Sequence, residues 1–180
     1  MPLTIEEVAA LLRQPAPLQL AYRDLSAVQL NGVNLRGANL FRARLNDSRI
    51  LRADLINANL KEADLFEAVV RESLLLGADL TEANLTRADL TRSDLRRVTL
   101  VNANLFGAEL FEVNLAGANL QGANLRGALL EGADLSGADL RGAKIHLAQL
   151  SDSTLSTATI MPDGQPYSPP PPEPEEPEDI

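Results

Sequence analysis

The chain has 180 residues, of which 45% are hydrophobic, and a formal net charge of −9. This length suits one domain with a buried core. Aromatic residues make up only 3% and cysteine is absent, so we expect an aliphatic core and exclude disulfides and thiolate metal sites. No apolar run approaches the roughly 20 residues that span a bilayer, and Glu6 and Glu7 stand where a signal peptide would be positive, so a cytoplasmic protein without membrane contact is expected.

Residues 1–17 are predicted to form a capping helix and a linker. Thr4 and Glu7 have the spacing of a capping box, and apolar residues recur at helical intervals over residues 4–14. Pro15 and Pro17 end the helix. Its expected role is to cover the exposed end of the repeat region that follows, and recruitment of a partner is the alternative.

A repeat of five residues governs residues 18–160. From Leu20 to Ile160, all 29 positions at this spacing hold Leu, Ile or Val, and 25 of them are Leu. Two residues earlier, from Val28 to Ala158, stands Ala, Ser or Val. Five residues turn an α-helix by roughly 140° beyond a full turn, and five is odd on a strand of period two. Neither regular structure therefore puts these side chains on one face.

The pattern is explained if the chain turns a corner after every five residues. In residues 133–137, Ala133 and Leu135 would face inward, Asp134 outward, and Ser136 with Gly137 would form the corner. Units that cannot bury an apolar face alone must stack into a solenoid. Four sides would close a 20-residue coil, so the 29 sides correspond to about seven coils.

Units such as residues 118–122, 133–137 and 138–142 resemble the A-(D/N)-L-x-x unit of the pentapeptide-repeat family. The resemblance covers residues 18–160. It implies an all-β solenoid, a right-handed quadrilateral β-helix, whose core holds the Leu and small residues. With the N-terminal capping helix, this is the predicted fold.

Residues 161–180 are predicted to be a disordered tail rich in Pro and Glu. Residues 161–164 are typical of a turn, and the tail carries six acidic residues and no basic one. If the tail leaves the last coil uncovered, the exposed edge there favours a homodimer through the C-terminal coil.

No catalytic, cofactor-binding or metal-ligating residues are predicted. The single histidine, His146, follows Ile145 and should point outward, and a filled core leaves no room for a small-molecule substrate. Asp54, Asp94 and Asp134 share a face but are two coils apart, too far to bind one metal ion. A protein that is not an enzyme is expected.

Charge also argues against direct nucleic-acid binding. Residues 18–160 hold 17 acidic and 15 basic residues, a net −2, without a basic stripe. Residues 18–52 carry +4, which indicates either a mixed surface or an end that meets an acidic partner. The family resemblance implies an alternative function, since some members imitate DNA to bind gyrase and protect it from quinolones. Duplex DNA of similar length, roughly 34 Å, carries about 20 charges, so gyrase mimicry is only the alternative.

The departures from the repeat point to a surface. Val69 and Leu74 replace the usual Asp or Asn in neighbouring units, and the 20-residue period stacks Ile56 and Leu76 nearby. The predicted interaction patch comprises Leu51, Ile56, Val69, Leu74 and Leu76. Drift in a tolerant repeat is the alternative interpretation. The leading hypothesis is a structural or binding module whose partner is another protein.

Overall fold

The computed structural model describes residues 5–13 and 16–170. Its one α-helix in these residues, α1, spans Ile5–Leu12 and carries Glu6 and Glu7 in its first turn, where acidic residues interact favourably with the helix dipole. Thr4 and Gln14, the predicted limits of this helix, lie outside the described residues. A 3-10 helix spans Leu147–Leu150.

Each five-residue unit forms a short extended side and a two-residue corner. In residues 133–137, Ala133 and Leu135 are completely buried, whereas Asp134 is half-buried. Gly137 has a φ of 67°, in the left-handed region that favours glycine, and the N–H of Ala138 donates to Leu135 O at 3.0 Å across the corner. The chain therefore changes direction once in every unit.

Backbone hydrogen bonds join each side to the side 20 residues further on. From the pair Gln19 and Asn39 onward, parallel bridges recur every five residues, each formed by a single residue pair. At one such side, Leu115 N–H donates to Asp134 O at 2.7 Å, and Asp134 N–H donates to Val113 O at 2.9 Å. Residues whose numbers differ by 20 therefore stack in columns along a rod.

The inward columns form one continuous core. Every Leu, Ile or Val position from Leu20 to Leu140 is at most 2% exposed, which confirms their predicted inward orientation. The small column includes the buried Ser73, whose Oγ donates to Ile50 O at 2.6 Å and accepts from Ala53 N–H at 3.1 Å. This hydroxyl bridges the corner of the preceding coil, so a polar group is buried with its hydrogen bonds satisfied.

The repeat is interrupted at Leu147–Leu150, where the 3-10 helix replaces an extended side. The prediction that Ala148 faces inward is wrong, because this residue is exposed, although Leu150 remains 5% exposed. The side-chain Nε2 of Gln149 donates to Leu125 O at 3.0 Å and to Ala128 O at 2.7 Å. These bonds use carbonyl groups of the preceding coil at the place where the regular bridge between Leu129 and Gln149 is missing.

The register slips by one residue in the last side. Asp139 pairs with Ile160, 21 residues away, so the predicted inward orientation of Ala158 and Ile160 is wrong. Thr159 is the fully buried residue instead, while Ala158 is exposed and Ile160 half-buried. The physical reason is a longer corner, in which Thr159 Oγ1 accepts the N–H of Gly137 at 3.1 Å.

Ordered structure continues past residue 160, where a disordered tail was predicted to begin. Met161 N–H donates to Gln165 O at 2.7 Å, and Tyr167 N–H donates to Thr159 O at 2.8 Å. Pro166 pairs antiparallel with Ile160. This return segment lies along the last side, and residues 171–180 lie outside the described part of the chain.

Replacement of a core leucine tests the stacked core. Leu95→Ala should lower the free energy of unfolding by about 2–5 kcal/mol, because Leu95 is 0% exposed and its truncation leaves a cavity. Leu129→Ala is the matched control, since Leu129 is 41% exposed, and it should change stability by less than about 0.5 kcal/mol. Chemical denaturation followed by circular dichroism measures both, and equal losses would contradict the assignment of the core.

Candidate functional site

The five residues of the predicted interaction patch are all accessible to solvent. Leu74 is 43% exposed, and the other four are half-buried. Leu74 lies mid-side between Asp54 and Asp94, which pair with it in the coils before and after. Leu74 is therefore an aliphatic residue between two acidic residues of the same column.

The patch residues do not line a single cavity. Leu51 and Val69 share a depression of about 610 Å³, whereas Leu76 belongs to another of about 430 Å³ with Arg96 and Arg97. We call the larger depression the arginine groove. Its lining residues are Asn31, Gly32, Arg49, Leu51, Arg52, Val69, Arg71, Glu72 and Asp89. Ile56 and Leu74 line neither depression.

The usual Asp or Asn in mid-side position has a structural role. Its side-chain oxygen accepts the N–H two residues on, as in the bond from Ile56 N–H to Asp54 Oδ1 at 3.0 Å. Val69 and Leu74 cannot accept this bond. Within the described residues, the backbone N–H groups of Arg71 and Leu76 consequently donate no hydrogen bond. At Val69 and Leu74 the surface therefore combines an aliphatic side chain with a backbone N–H that has no acceptor among the described residues.

Ion pairs surround Leu74 without covering it. Arg36 Nη2 lies 2.9 Å from Asp54 Oδ2, and Arg96 Nη2 lies 2.6 Å from Asp94 Oδ2. The hydrogen bond and charge of Arg96 hold the pKa of Asp94 below its ordinary value, against the effect of burial. Both neighbouring carboxylates therefore have cationic partners, and Leu74 stands between two neutralised pairs.

One corner column carries alternating charges that border the arginine groove. Arg52 Nε lies 2.7 Å from Glu72 Oε2, and Arg92 Nε lies 2.8 Å from Glu112 Oε2. Hydrogen bonds and the charges of these arginines hold the pKa values of Glu72 and Glu112 below their ordinary values. All four residues have φ between 51° and 59°, a conformation that is unfavourable for residues other than glycine, and the ion pairs offset part of that cost.

Arg49 differs from its neighbours in the groove. Arg71 pairs with Asp89 and Arg52 with Glu72, but Arg49 has no ion pair or side-chain hydrogen bond among the residues that the structure describes. It is exposed and lies directly above Val69 in the same column. Sequence reasoning counted Arg49 and Arg52, but not Arg71, in a basic end and missed the groove, although the 20-residue period does place residues 49, 69 and 89 in one column.

A second cluster that sequence reasoning missed lies at a corner near the N-terminal end of the rod. The rings of Tyr22 and Phe41 meet edge to face with centroids 5.4 Å apart, and Arg42 Cζ lies 5.1 Å from the centroid of Phe41. Arg42 also pairs with Glu62 at 2.5 Å. Tyr22 is 65% exposed. Because these contacts satisfy the cation locally, the cluster stabilises the corner rather than presenting a free charge.

Other kinds of site find no support in residues 5–13 and 16–170. These residues contain no group of three or more His, Cys, Asp or Glu that could hold a metal ion. The predicted outward position of His146 agrees with its exposure, just before the 3-10 helix. No helix in this part of the chain has the length and hydropathy needed to cross a bilayer.

Parallel pairing every 20 residues, with four corners in each period, defines the class of a four-sided β-solenoid. A family model for pentapeptide repeats matches in overlapping stretches from residue 24 to residue 156. The chain therefore belongs to the pentapeptide-repeat family, and its fold is a right-handed quadrilateral β-helix.

Two solved structures show how far the likeness extends. HetL, a pentapeptide repeat protein involved in heterocyst differentiation regulation in the cyanobacterium Nostoc sp. strain PCC 7120, is 34% identical, with a TM-score of 0.53. The match covers 83% of this chain and 76% of HetL. A trypsin-treated form of QnrB1, a plasmid-mediated fluoroquinolone resistance protein, is 22% identical over 77% of each chain, with a TM-score of 0.62. A comparison with curated proteins found no match.

The alternating corner predicts a specific acid sensitivity. The depressed pKa values of Glu72 and Glu112 mean that their stabilising contribution is present above the ordinary carboxyl pKa, about 4, and is lost as pH falls below it. The Tm of the wild type should therefore fall more steeply from pH 6 to pH 3 than that of the double variant Glu72→Gln/Glu112→Gln. Differential scanning calorimetry measures both slopes.

Glu82→Gln is the matched control for this experiment. Glu82 occupies the same position of another corner, with φ 59°, but forms no ion pair among the described residues. Its replacement should leave the acid slope of the wild type unchanged. Equal slopes for the wild type and the double variant would show that the ion pairs do not contribute.

Proposed function

We propose that this protein is a non-enzymatic protein-interaction module that binds a partner protein through the outer surface around Leu74. The observation that carries the proposal is the replacement of the structural Asp or Asn by Leu74 and Val69. In a regular unit this residue satisfies a corner N–H, as Asp54 does for Ile56. Its loss leaves donors and apolar surface for a partner to cover.

The likeness to HetL supports a role of this type. HetL is involved in the regulation of heterocyst differentiation, and it is 34% identical to this chain. A rigid rod with an outward surface of fixed spacing suits a regulator that acts by binding. We further propose a location in the cytoplasm.

The finer features of the rod belong to the same proposal. The bridged span from Gln19 to Ile160 corresponds to about seven coils of 20 residues. We propose that α1 covers the first coil, since a free strand edge would otherwise invite edge-to-edge association. A closed N-terminal end directs binding to the sides of the rod or to its other end.

A specific observation also favours a homodimer through the C-terminal coil. Within the described residues, the return segment donates from Tyr167 N–H to Thr159 O and accepts from Gly142 N–H at Pro162 O, and a depression of about 270 Å³ lies at this end. Its lining residues are Leu147, Leu150, Ser151, Ser153, Leu155, Met161 and Tyr167. Leu147 is 64% exposed. Contact with a second copy would remove this surface from water.

Gyrase mimicry receives less support than partner binding. QnrB1 is 22% identical to this chain, a likeness that establishes the fold alone. Residues 18–160 carry a net charge of only −2, far from that of duplex DNA.

Replacement of Leu74 tests the interaction surface. Leu74→Asn restores the residue type of a regular unit, so the fold should be retained. The substitution removes the exposed aliphatic side chain, and the asparagine oxygen should accept the N–H of Leu76. We expect capture of the partner from the native cell to fall at least about tenfold, the effect of roughly 1.4 kcal/mol. Quantitative mass spectrometry of affinity-captured protein is the measurement.

Leu129→Asn provides the matched control. Leu129 is 41% exposed and also lies mid-side, in another column and a later coil. Its replacement should leave capture unchanged. A Leu74→Asn protein that captures the same partner at wild-type level would exclude Leu74 from the binding surface.

The dimer is tested separately at the C-terminal end. Leu147→Glu places a charge in the apolar depression and should convert a dimer to a monomer, because a buried unpaired carboxylate is costly. Size-exclusion chromatography with light scattering measures the mass of both proteins. A monomeric wild type would contradict the dimer.

A further inference from the structure

We propose that the arginine groove binds an extended acidic segment of the partner protein, with one carboxylate held between Arg49 and the backbone N–H of Arg71. An aliphatic side chain of the same segment packs against Leu51 and Val69. The proposal rests on the proposed function as an interaction module and names the chemistry of the partner.

The charge of Arg49 is uncompensated among the residues that the structure describes. Three arginines and two carboxylates line the groove, and the two carboxylates, Glu72 and Asp89, are paired with Arg52 and Arg71. Arg49 has no ion-pair partner among the described residues. The groove therefore offers one free guanidinium, which forms directed bonds to a carboxylate.

The backbone N–H of Arg71, in the same groove, has no acceptor among the described residues. In a regular unit the mid-side oxygen accepts the corner N–H, as Asn59 Oδ1 accepts from Lys61 N–H at 3.2 Å. Val69 occupies that position in the groove, and Arg71 N–H donates to no described residue. An acceptor from outside can replace the missing oxygen. A carboxylate has two oxygens, so one group can serve both this donor and Arg49.

The shape and polarity of the arginine groove suit a short extended segment. It is an open surface depression of about 610 Å³, and Leu51 and Val69 contribute apolar surface to its lining. Residues 49, 69 and 89 span two coil spacings, roughly 10 Å. This distance matches about three residues of extended chain. A short segment that alternates acidic and aliphatic residues therefore fits the groove.

The same residues disfavour a nucleic acid. The lining of the groove carries a net charge of only +1, which suits a single carboxylate better than a run of phosphates, and no aromatic side chain lines the groove to stack a base. A peptide with one carboxylate at Arg49 avoids both difficulties. An acidic peptide is therefore the ligand that the groove favours.

The test uses the full-length protein and fluorescence anisotropy. The probe is a fluorescein-labelled peptide of eight residues with alternating glutamate and leucine, and the comparison peptide alternates glutamine and leucine. We expect the glutamate peptide to bind about fivefold or more tightly than the glutamine peptide, because only the former carries carboxylates. Equal binding of the two peptides, or no binding of the glutamate peptide, would overturn the proposal.

Three variants localise the binding. Arg49→Gln removes the free guanidinium, and Val69→Asn supplies an internal acceptor for Arg71 N–H, so each should raise the Kd of the glutamate peptide about fivefold. Arg126→Gln is the matched control, since Arg126 is also exposed and without a described ion pair but lies outside the groove. It should leave the Kd unchanged. Equal effects of all three would indicate general electrostatic attraction and overturn the site.

Partner capture separates this proposal from the broader one. If Leu74→Asn abolishes capture while Arg49→Gln does not, and the peptide does not bind, the interaction module stands and the groove proposal fails. If Arg49→Gln and Val69→Asn raise the Kd of the glutamate peptide but Leu74→Asn leaves partner capture intact, the groove is supported and the surface around Leu74 is not.

Two further outcomes would assign the groove to another ligand. Displacement of the peptide by a single-stranded oligonucleotide at lower concentration than by unlabelled peptide would favour a nucleic acid. A concentration-dependent dimer that Arg49→Gln abolishes in sedimentation would favour the acidic residues 173–179 of a second copy. Either result would overturn a separate partner protein as the occupant.

Discussion

The backbone hydrogen bonds between coils are the constraint on which the rest of this protein depends. Each side of the rod pairs with the side 20 residues later, and the bonds from Leu115 to Asp134 O and from Asp134 to Val113 O show the pattern. This pairing requires that every side be equal in length, which in turn requires a corner after every five residues. Leucine and a small residue then face inward at each side, because successive side chains of an extended segment point to opposite faces and these two positions share the inner one.

The same constraint separates the functions of the outward residues. The side chain of a mid-side Asp or Asn accepts a hydrogen bond from the neighbouring corner, as Asp54 does from Ile56 N–H, so this residue type is explained by the fold. A residue such as Val69 or Leu74 cannot make this bond, and its corner loses an acceptor. Residues that depart from the repeat are not explained by the fold, so they are better candidates for a binding surface than the regular residues are. Val69 lies beside Arg49 in the arginine groove, which therefore has both apolar area and positive charge, whereas Leu74 stands between two ion pairs.

The C-terminal end shows how the repeat is terminated. Gln149 supplies side-chain donors where a backbone bridge is missing, and Thr159, in a corner one residue longer than the regular ones, accepts the N–H of Gly137 from the preceding coil. Residues 161–167 then return along the last side. Small changes of register at this end therefore create a surface that differs from the sides of the rod, with an apolar depression around Leu147.

Period and side-chain size by themselves determined the solenoid, the inward column from Leu20 to Leu140 and the positions of the outward departures, because a strict repeat makes each coil a copy of the last. They failed at Ala148 and Ile160, where apolar residues keep the five-residue spacing while the backbone does not. Only the tertiary structure decided those orientations, since a 3-10 turn and a longer corner are stabilised by hydrogen bonds between coils. It also decided which arginines are already paired. That distinction depends on distances between residues about 20 positions apart, and it left Arg49 without an ion-pair partner among the residues that the structure describes.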